Sequence, residues 1–540
     1  MIKTGMKNGS AIFLLQIVLL LLMSTTVISC KKKTIDPIEE EPFVRLKTDL
    51  QLQSSRLNRS INYAVLLPEN YTDETQRFPV VYLLHGFGDN EKAWYQGGNI
   101  SFYADRYADS IGPVIFVMPQ GFNTYWLDRY NGNYPYMQML INELVPEVDL
   151  LFRTKPEAEQ RAVMGYSMGG YGALMLAAKN PETFKTGVSL SMSFRTDEQY
   201  LNEPQGVFDG QWATIFGGMG VSGNQRLTDH FIKYSPFHFF ETPGDPSLSG
   251  QHYFIDCGDD EETLTYTANA LHSLLSRQQI AHEFRIRNGG HSWDCWHAAL
   301  PEAFSFMRHA FNGVEYPQNE SVNPEMLIPS AAQLNQLNTA DGLLAFHVVK
   351  PANYDSETRD YAVVYVLNDG VDLSEATASA NVLAQLNQAV VKTRLPASII
   401  VEIPFKQGFI TTERIAEIIA MIKAKYRTYP DGKFAVMIGN NKGGKFTFEL
   451  MESLRDHFNA GLLFNATLAD DAVVTNGDIA WYLDLVDEHA AFKGYETLYQ
   501  SVRTQQAKYE YRVRQGRSDH AAFQAGLNAA MIFIKDNLKK

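Results

Sequence analysis

Residues 165–170 read Gly-Tyr-Ser-Met-Gly-Gly and hold a serine in a setting suited to nucleophilic chemistry. Residues 161–164 before them have a strand pattern, and an Ala-, Leu- and Met-rich helix pattern follows. A serine in such a tight strand–turn–helix bend is held in strained backbone geometry, and the helix N-terminus offers N–H groups to a developing oxyanion. We predict that Ser167 is a nucleophile. The alternative is a glycine-rich turn that only packs a helix on a sheet.

A serine hydroxyl needs a base, and histidine is the usual one because its pKa lies near neutrality. The chain has 13 histidines, so position must select among them. His291 lies in a glycine-rich stretch, residues 288–293, directly after a predicted strand at 282–287. A loop there can reach the carboxyl edge of the sheet. We therefore predict His291 as the base and a structural role for His297.

A carboxylate that orients the histidine should lie between the serine and the histidine in the chain. The predicted strand 253–257 is followed by Gly258 and four acidic residues, Asp259, Asp260, Glu261 and Glu262. At this point all four are candidates, and most of them would form a solvated acidic loop. The spacing lacks the alternating ligands of a calcium-binding loop.

The oxyanion of an acyl-transfer intermediate needs N–H donors. Residues 85–88, His-Gly-Phe-Gly, follow a predicted strand at 80–84 and can aim a backbone N–H at the same point as the helix behind Ser167. The predicted donors are the amides of Phe87 and Met168. For His85 we expect a packing role that shapes this loop.

These residues require a scaffold of alternating strands and helices. Residues 80–84 and 114–118 are short, apolar, β-branched runs typical of strands buried on both faces, and amphipathic helices are predicted at 136–152 and 170–179. This pattern predicts an α/β fold with a helix-covered, mainly parallel sheet.

The chain also contains an internal repeat. Five segments recur in the same order: 68–71 in 351–354, 78–84 in 361–367, 162–165 in 435–439, 184–187 in 458–461, and 284–287 in 511–514. The offset between matching residues falls from 274 at Gly461 to 227 at Tyr511, so the second copy is 47 residues shorter between these two matches and the first copy carries the extra residues. The predicted fold is two tandem α/β domains, at 46–312 and 336–540, joined by a linker at 313–335.

Composition limits the class of protein. The chain has 540 residues, 45% of them hydrophobic, and a formal charge of −14 without a basic block. This favours a globular protein of two or three domains and argues against a nucleic-acid partner. Three cysteines are too few for a disulfide scaffold. The sequence alone does not decide whether Cys257 and Cys295 form a disulfide bond.

The first residues have the pattern of an export signal. Lys3 and Lys7 precede an apolar run at 11–23, and Cys30 follows small residues in a way that resembles a bacterial lipobox. We predict a signal peptide at 1–29, acylation of Cys30 and a tether at 30–45. The protein would then be a bacterial lipoprotein held to a membrane by Cys30, in the outer membrane, cell surface or periplasm. An ordinary signal with a chance cysteine is the alternative.

Residues 46–312 resemble the esterase D-type α/β-hydrolases, which include feruloyl and acetylxylan esterases of the first carbohydrate esterase family, S-formylglutathione hydrolases and mycolyltransferases. The resemblance rests on His-Gly at 85–86 and on the segments 165–170, 255–258 and 289–293. It implies the same nucleophile, base and oxyanion donors as above. It also places the acid, usually aspartate, at Glu261, with Asp260 one residue earlier as the second candidate.

The second copy has lost the reactive side chains. Ser167 corresponds to Asn441, His85 to Asn368 and His291 to Ser518, with His520 two residues on. Because asparagine cannot act as an activated alkoxide, we expect a degenerate, inactive domain. It would serve as a structural brace or, as the alternative, bind a carbohydrate or a partner.

We therefore expect a serine esterase that needs no metal or organic cofactor. The resemblance and the export signal favour feruloyl or acetyl esters on plant polysaccharide, with siderophore or lipid esters as alternatives. Four aromatic residues would either stack on a sugar or phenolic ring or only pack the core: Trp94, Tyr125, Trp126 and Trp293. The rival from another class is a non-catalytic, glycan-binding surface lipoprotein.

Overall fold

The computed structural model of the chain describes residues 44–241, 250–317, 332–339, 342–369 and 376–538. The predicted signal peptide, Cys30 and most of the tether lie outside these residues. Residues from Arg45 onward form one compact unit. No helix in the described ranges has the length and apolar character needed to cross a membrane.

The described residues contain sixteen strands in one sheet, in the spatial order β1-β2-β4-β3-β5-β6-β7-β8-β16-β15-β14-β13-β11-β12-β10-β9. The strands are β1 Leu46–Ser54, β2 Arg59–Leu66, β3 Val80–Leu84, β4 Ile115–Pro119, β5 Arg161–Tyr166, β6 Thr186–Leu190, β7 His252–Gly258, β8 Glu283–Arg287, β9 Gln333–Thr339, β10 Gly342–Val349, β11 Ala362–Asp369, β12 Ser398–Phe405, β13 Ala435–Asn440, β14 Ala460–Phe464, β15 Ala480–Val486 and β16 Tyr509–Arg514.

Helices of five or more residues are α1 Ile100–Arg106, α2 Val145–Leu151, α3 Met168–Lys179, α4 Asp197–Leu201, α5 Asp229–Tyr234, α6 Thr263–Arg277, α7 Trp293–Phe311, α8 Ala376–Val391, α9 Thr412–Lys425, α10 Asn441–Ser453, α11 Phe492–Thr504, α12 His520–Ala529 and α13 Met531–Asn537. Shorter α-helical turns are Ala93–Gln96, Ala108–Ile111, Tyr136–Met139, Gln205–Val207, Ala213–Phe216 and Pro236–Phe239. The helix predicted at 136–152 is therefore interrupted: a π-helical turn, Leu140–Leu144, joins its first turn to α2.

The two halves of the sheet have the same strand order. From β3 to β8 the neighbouring strands run parallel, and β1 and β2 add an antiparallel edge. Strands β9 to β16 repeat this arrangement. β3 and β4 are buried along their whole length, as the apolar runs at 80–84 and 114–118 predicted, and so are β5 and β6.

Hydrophobic cores lie on both faces of the sheet. Along β3, Val80, Tyr82 and Leu84 belong to a core that continues through both halves, whereas Val81 and Leu83 face a core restricted to the first half. A separate cluster covers the corresponding face of the second half. Because successive strand residues point to opposite faces, the sheet is covered on both sides.

The halves differ in one connection. The first half has residues 191–251 between β6 and β7, where the second half has only 465–479 between β14 and β15. This is the insertion predicted from the spacing of the repeat. Its Trp212 packs 5.0 Å, between ring centroids, from Tyr125.

Candidate active site

Ser167 lies in a tight bend between β5 and α3. Its backbone has φ 57° and ψ −121°, a conformation that residues with a side chain seldom adopt. Two glycines allow the bend. A Cβ at Gly165 would lie 2.3 Å from the Gly169 carbonyl oxygen, and a Cβ at Gly169 would lie 2.3 Å from the carbonyl oxygen of Leu84. Only glycine fits both positions, so the bend predicted from the motif is present.

Glu261 is the carboxylate that contacts the histidine. It ends a 3-10 turn, Asp259–Glu261, directly after β7. Its Oε2 lies 2.6 Å from His291 Nδ1, while its Oε1 accepts hydrogen bonds from the Gly258 amide at 2.9 Å and from Ser191 Oγ at 2.5 Å. The side chain of Glu261 is buried. Its orientation is therefore fixed from both oxygens.

His291 follows β8 on a short loop, as expected. Its ring packs edge-on against Trp296, with 5.1 Å between ring centroids. Its side chain keeps 41% of its surface exposed. Because Nδ1 faces Glu261, Nε2 is the nitrogen left for a reacting hydroxyl.

The Ser167 backbone is hydrogen-bonded to the end of β6, at the edge of the sheet where Glu261 and His291 also lie. The Ser167 amide donates to the Leu190 carbonyl at 2.9 Å, and the next residue, Ser191, is the one that donates to Glu261. β5, β6, β7 and β8 are parallel neighbours, so their carboxyl ends meet at one edge. The serine, the glutamate and the histidine thus follow the carboxyl ends of β5, β7 and β8 within one run of parallel strands.

The other acidic candidates face elsewhere. Asp260 is exposed and contacts the histidine loop through its backbone, whose N–H donates to the Gly289 carbonyl at 3.0 Å. Glu262 is exposed and lies 3.5 Å from Arg503. Asp259 is buried and bound to Arg512 at 2.6 Å. Of the four, only Glu261 contacts His291.

The two predicted oxyanion donors follow β3 and Ser167. Met168 is the first residue of α3, and Phe87 lies in the loop after β3. That loop is fixed by hydrogen bonds from the Gly88 amide to Asn123 Oδ1 at 2.7 Å and from Tyr166 Oη to Asp89 at 2.5 Å. Neither the Phe87 nor the Met168 amide donates to another residue in the described part of the chain.

His85 has the packing role predicted for it. The Gly121 amide donates to its Nε2 at 2.8 Å, so that nitrogen carries no proton and Nδ1–H donates to the Gly86 carbonyl, also at 2.8 Å. Burial lowers the pKa of His85 to about 4. The ring is a neutral connector between two loops of the site. His297 is also structural, since its Nε2 contacts the Gly98 carbonyl at 3.0 Å.

Sequence reasoning missed two residues that hold the acid. Ser191 bonds Glu261, and Trp296 Nε1 in turn donates to Ser191 Oγ at 2.8 Å. Both are buried. A serine at the carboxyl end of β6 was the available signal, but nothing in the sequence pairs it with a residue seventy positions away.

Most of the four aromatic residues considered for stacking on a ligand lie in the hydrophobic core. Trp94, Tyr125 and Trp126 are at most 1% exposed, so they cannot stack on a ligand. Trp293 is half-buried and fills space beside Gly97 and Gly98. The exposed aromatic ring beside the site is instead Phe87, at 43%.

Cys257 and Cys295 are free thiols, and both are buried. Burial raises the pKa of each thiol above its usual value. They are therefore poor nucleophiles and leave the chemistry to the serine. In the described residues no group of three or more histidine, cysteine or acidic side chains could hold a metal ion.

The corresponding position in the second half keeps the positive φ but carries an asparagine instead of a serine. Asn441 has φ 49°, and Ser518 Oγ donates to its Oδ1 at 3.2 Å. The Lys442 amide, which matches that of Met168, donates to the carboxylate of Asp369 at 3.1 Å. The anion-binding donor of this half is thus occupied by the chain itself.

Comparison with known proteins finds similarities to the first half. Residues 54–307 match the family described as "Putative esterase". An endo-1,4-beta-xylanase/feruloyl esterase of Xylanibacter ruminicola is 30% identical over 200 residues, 35% of this chain and 27% of that protein. An acetyl esterase of Caldicellulosiruptor saccharolyticus is 23% identical over 273 residues, 48% of this chain and 96% of that protein. The chain thus spans about a quarter of the first relative.

A solved structure titled ferulic acid esterase is similar to 49% of this chain and 98% of its own, with 23% identity and a TM-score of 0.42. The strand order of the first half and the family match agree with an α/β-hydrolase-type fold.

Proposed function

We propose that this chain, whose residues 54–307 match the family described as "Putative esterase", is a serine esterase that hydrolyses carboxylic esters through an acyl-enzyme on Ser167. The observation that carries the proposal is the 2.6 Å contact between Glu261 and His291 Nδ1 at the strand edge where Ser167 sits in its strained bend. A buried carboxylate on one imidazole nitrogen prepares the other nitrogen to take a proton.

In the first step, Ser167 Oγ attacks the ester carbonyl carbon while His291 Nε2 takes the hydroxyl proton. The carbonyl oxygen becomes an oxyanion, which the amides of Phe87 and Met168 stabilise. The bond to the alcohol oxygen then breaks, and His291 gives its proton to the leaving alcohol. The acyl group remains on Ser167.

In the second step, His291 takes a proton from water, and the resulting hydroxide attacks the acyl carbon. The acid leaves and Ser167 regains its proton. Glu261 stabilises the imidazolium formed in both steps without itself taking a proton. Asp260 has no role in this scheme.

The proposed substrates are feruloyl or acetyl esters linked to plant polysaccharide. The names of the two relatives support these acyl groups, and the exposed ring of Phe87 next to the oxyanion donors suits a phenolic acyl group. Siderophore or lipid esters are the alternatives. Release of ferulate against acetate from arabinoxylan, measured side by side, decides between the acyl groups.

The test of the activity itself compares the chain with Ser167→Ala on a chromogenic short-chain ester. We expect the rate to fall by about three orders of magnitude or more, with unchanged thermal unfolding. Equal rates in the two proteins would leave the non-catalytic, glycan-binding lipoprotein as the better hypothesis.

We propose further that residues 336–540 are a degenerate copy of the esterase domain at 46–312, joined by the linker 313–335. The common strand order and the retained bend at Asn441 support a shared origin. The missing nucleophile and the Asp369 carboxylate on the Lys442 amide argue against turnover there.

The location is also a proposal. The sequence around Cys30 favours a lipoprotein anchored to a bacterial membrane. Cys30→Ser should move the protein from the membrane fraction to the soluble fraction of its host. Unchanged membrane association would remove the lipidation hypothesis.

A further inference from the structure

The two halves meet edge to edge around a pseudo-twofold axis. β8 and β16 are the last strands of their halves and pair antiparallel, with Ile286 opposite Val513. These two residues occupy equivalent places in the repeated segments 284–287 and 511–514. An equivalent pair facing itself across an interface is typical of a twofold contact.

Two ion pairs cross this interface reciprocally. Arg285 of the first half binds Asp487 of the second at 2.7 Å, and Arg512 of the second half binds Asp259 of the first at 2.6 Å. All four side chains are at most 12% exposed. Each aspartate also accepts a hydrogen bond from a glycine of its own half, Gly289 to Asp259 at 3.1 Å and Gly516 to Asp487 at 3.0 Å.

Asp259 connects the second half to the candidate active site. Its Oδ2 accepts from the Tyr511 amide at 2.9 Å as well as from Arg512, and its carbonyl oxygen accepts from Tyr499 Oη at 2.9 Å. All three donors belong to the second half. The oxygen that binds Gly289 is the other carboxylate oxygen of the same side chain.

Both members of the acid–histidine pair depend on this connection. Asp259 begins the turn that ends at Glu261, and Gly289 lies two residues before His291. The cation that compensates the buried Asp259 comes from the second half. Loss of that cation would leave a buried charge unpaired, and the turn would shift to reach solvent.

We propose that the second half is a positioning element for the esterase site, with Arg512 as the positioning residue that acts through Asp259 on Glu261 and His291. This inference rests on the proposed esterase function. It assigns the inactive half a role in turnover without a substrate of its own. The reciprocal pair Arg285–Asp487 adjoins the loop of Ser518, which carries no chemistry, so it is a built-in control.

The test compares Arg512→Gln with Arg285→Gln in the full chain. Each change removes one cross-interface ion pair. Arg285→Gln also removes the contacts of Arg285 with Glu283 and Glu302, and Arg512→Gln the contact with Glu510. Both should therefore lower the thermal unfolding midpoint. We expect Arg512→Gln to lower kcat about tenfold or more with KM within twofold, because a small displacement of the catalytic pair is costly to the chemical step. Arg285→Gln should keep kcat within twofold.

Arg512→Lys and Tyr499→Phe cover the case in which a glutamine variant does not fold. Arg512→Lys should restore part of kcat, since it keeps the charge but not the planar geometry. Equal kcat in wild type and Arg512→Gln, or equal losses in the two glutamine variants, would overturn the proposal. If neither glutamine variant folds, an unchanged kcat in both Arg512→Lys and Tyr499→Phe would overturn it.

A second readout separates this proposal from the esterase proposal. The proton in the His291–Glu261 hydrogen bond should give a downfield NMR resonance in the wild type and in Arg285→Gln that is weakened or lost in Arg512→Gln. That result would support the positioning role even if no ester were hydrolysed. A resonance that is the same in all three proteins would contradict it.

Discussion

At the residue scale, the acid is defined by what surrounds it. Glu261 and Asp260 are adjacent, yet Glu261 is buried against Ser191 and His291 whereas Asp260 points to solvent. A 3-10 turn places successive side chains on different sides, which separates the two. The direction of the backbone in this turn therefore determines that Glu261, and not Asp260, contacts His291.

Glu261→Gln should slow ester hydrolysis by about a hundredfold or more, because the neutral amide cannot stabilise the imidazolium. Asp260→Asn, one residue earlier on the same turn, is the matched control and should stay within about twofold. The measurement is kcat for a chromogenic ester. The reverse order of effects would transfer the role to Asp260.

The buried His85 predicts a pH dependence of stability. Its pKa is about 4 in the folded chain and near 6.5 in the unfolded chain, so the unfolded chain binds more protons between these values. Its contribution is therefore complete above pH 6.5 and is lost as the pH falls towards 4, by about 3 kcal/mol.

The comparison for this effect is His85→Asn, the residue found at the equivalent position 368 of the second half. The variant should lose less unfolding free energy than the wild type between pH 7 and pH 4.5, measured by urea denaturation at both. Identical losses would show that His85 does not titrate as argued.

At the scale of elements, the site depends on how closely α3 approaches the sheet. The bend at Ser167 brings the first turn of α3 against the backbone of β3, and the contact at Gly169 leaves no room for a side chain. A methyl group added at Gly169 would therefore disturb both α3 and β3.

Gly169→Ala should lower the free energy of unfolding by about 1–3 kcal/mol and reduce kcat as well, because the helix must move away from Leu84. Gly206→Ala is the control, since a Cβ there meets no atom within 4 Å. Chemical denaturation and ester hydrolysis measure the two effects. Wild-type stability in Gly169→Ala would contradict the packing described here.

At the scale of the whole molecule, the two halves are joined through the pairing of β8 with β16 rather than arranged around one cleft. Since β8 and β16 are antiparallel, the parallel strands of the two halves run in opposite directions. Their carboxyl ends therefore lie on opposite sides of the molecule, above and below the shared sheet's midline. The bend at Asn441 and the bend at Ser167 therefore face opposite ways. The core on one face nevertheless runs through both halves.

Restoring the two lost side chains should not restore activity in the second half. Asn441→Ser with Ser518→His, in a Ser167→Ala background, should show no turnover above background, because the Asp369 carboxylate still occupies the Lys442 amide. Adding Asp369→Gly would free that donor. Turnover from the first combination alone would contradict the account of the occupied donor.

The sequence by itself determined the bend at Ser167, the histidine loop, the α/β pattern and the repeat. These are local features, since a glycine-flanked serine or an alternating apolar run constrains its own few residues wherever it folds. The acidic run after β7 limited the acid to four neighbours, and the family resemblance limited it further to Glu261 or Asp260.

Only the tertiary structure decided which acid contacts His291, which serine supports it and which half supplies the cation for Asp259. Each of these depends on residues far apart in the chain, such as Ser191 and Glu261 or Asp259 and Arg512. The physical reason is that a hydrogen bond or an ion pair forms only when two groups have the right distance and direction in space. Groups far apart in the chain reach such positions only once the strands that carry them have paired.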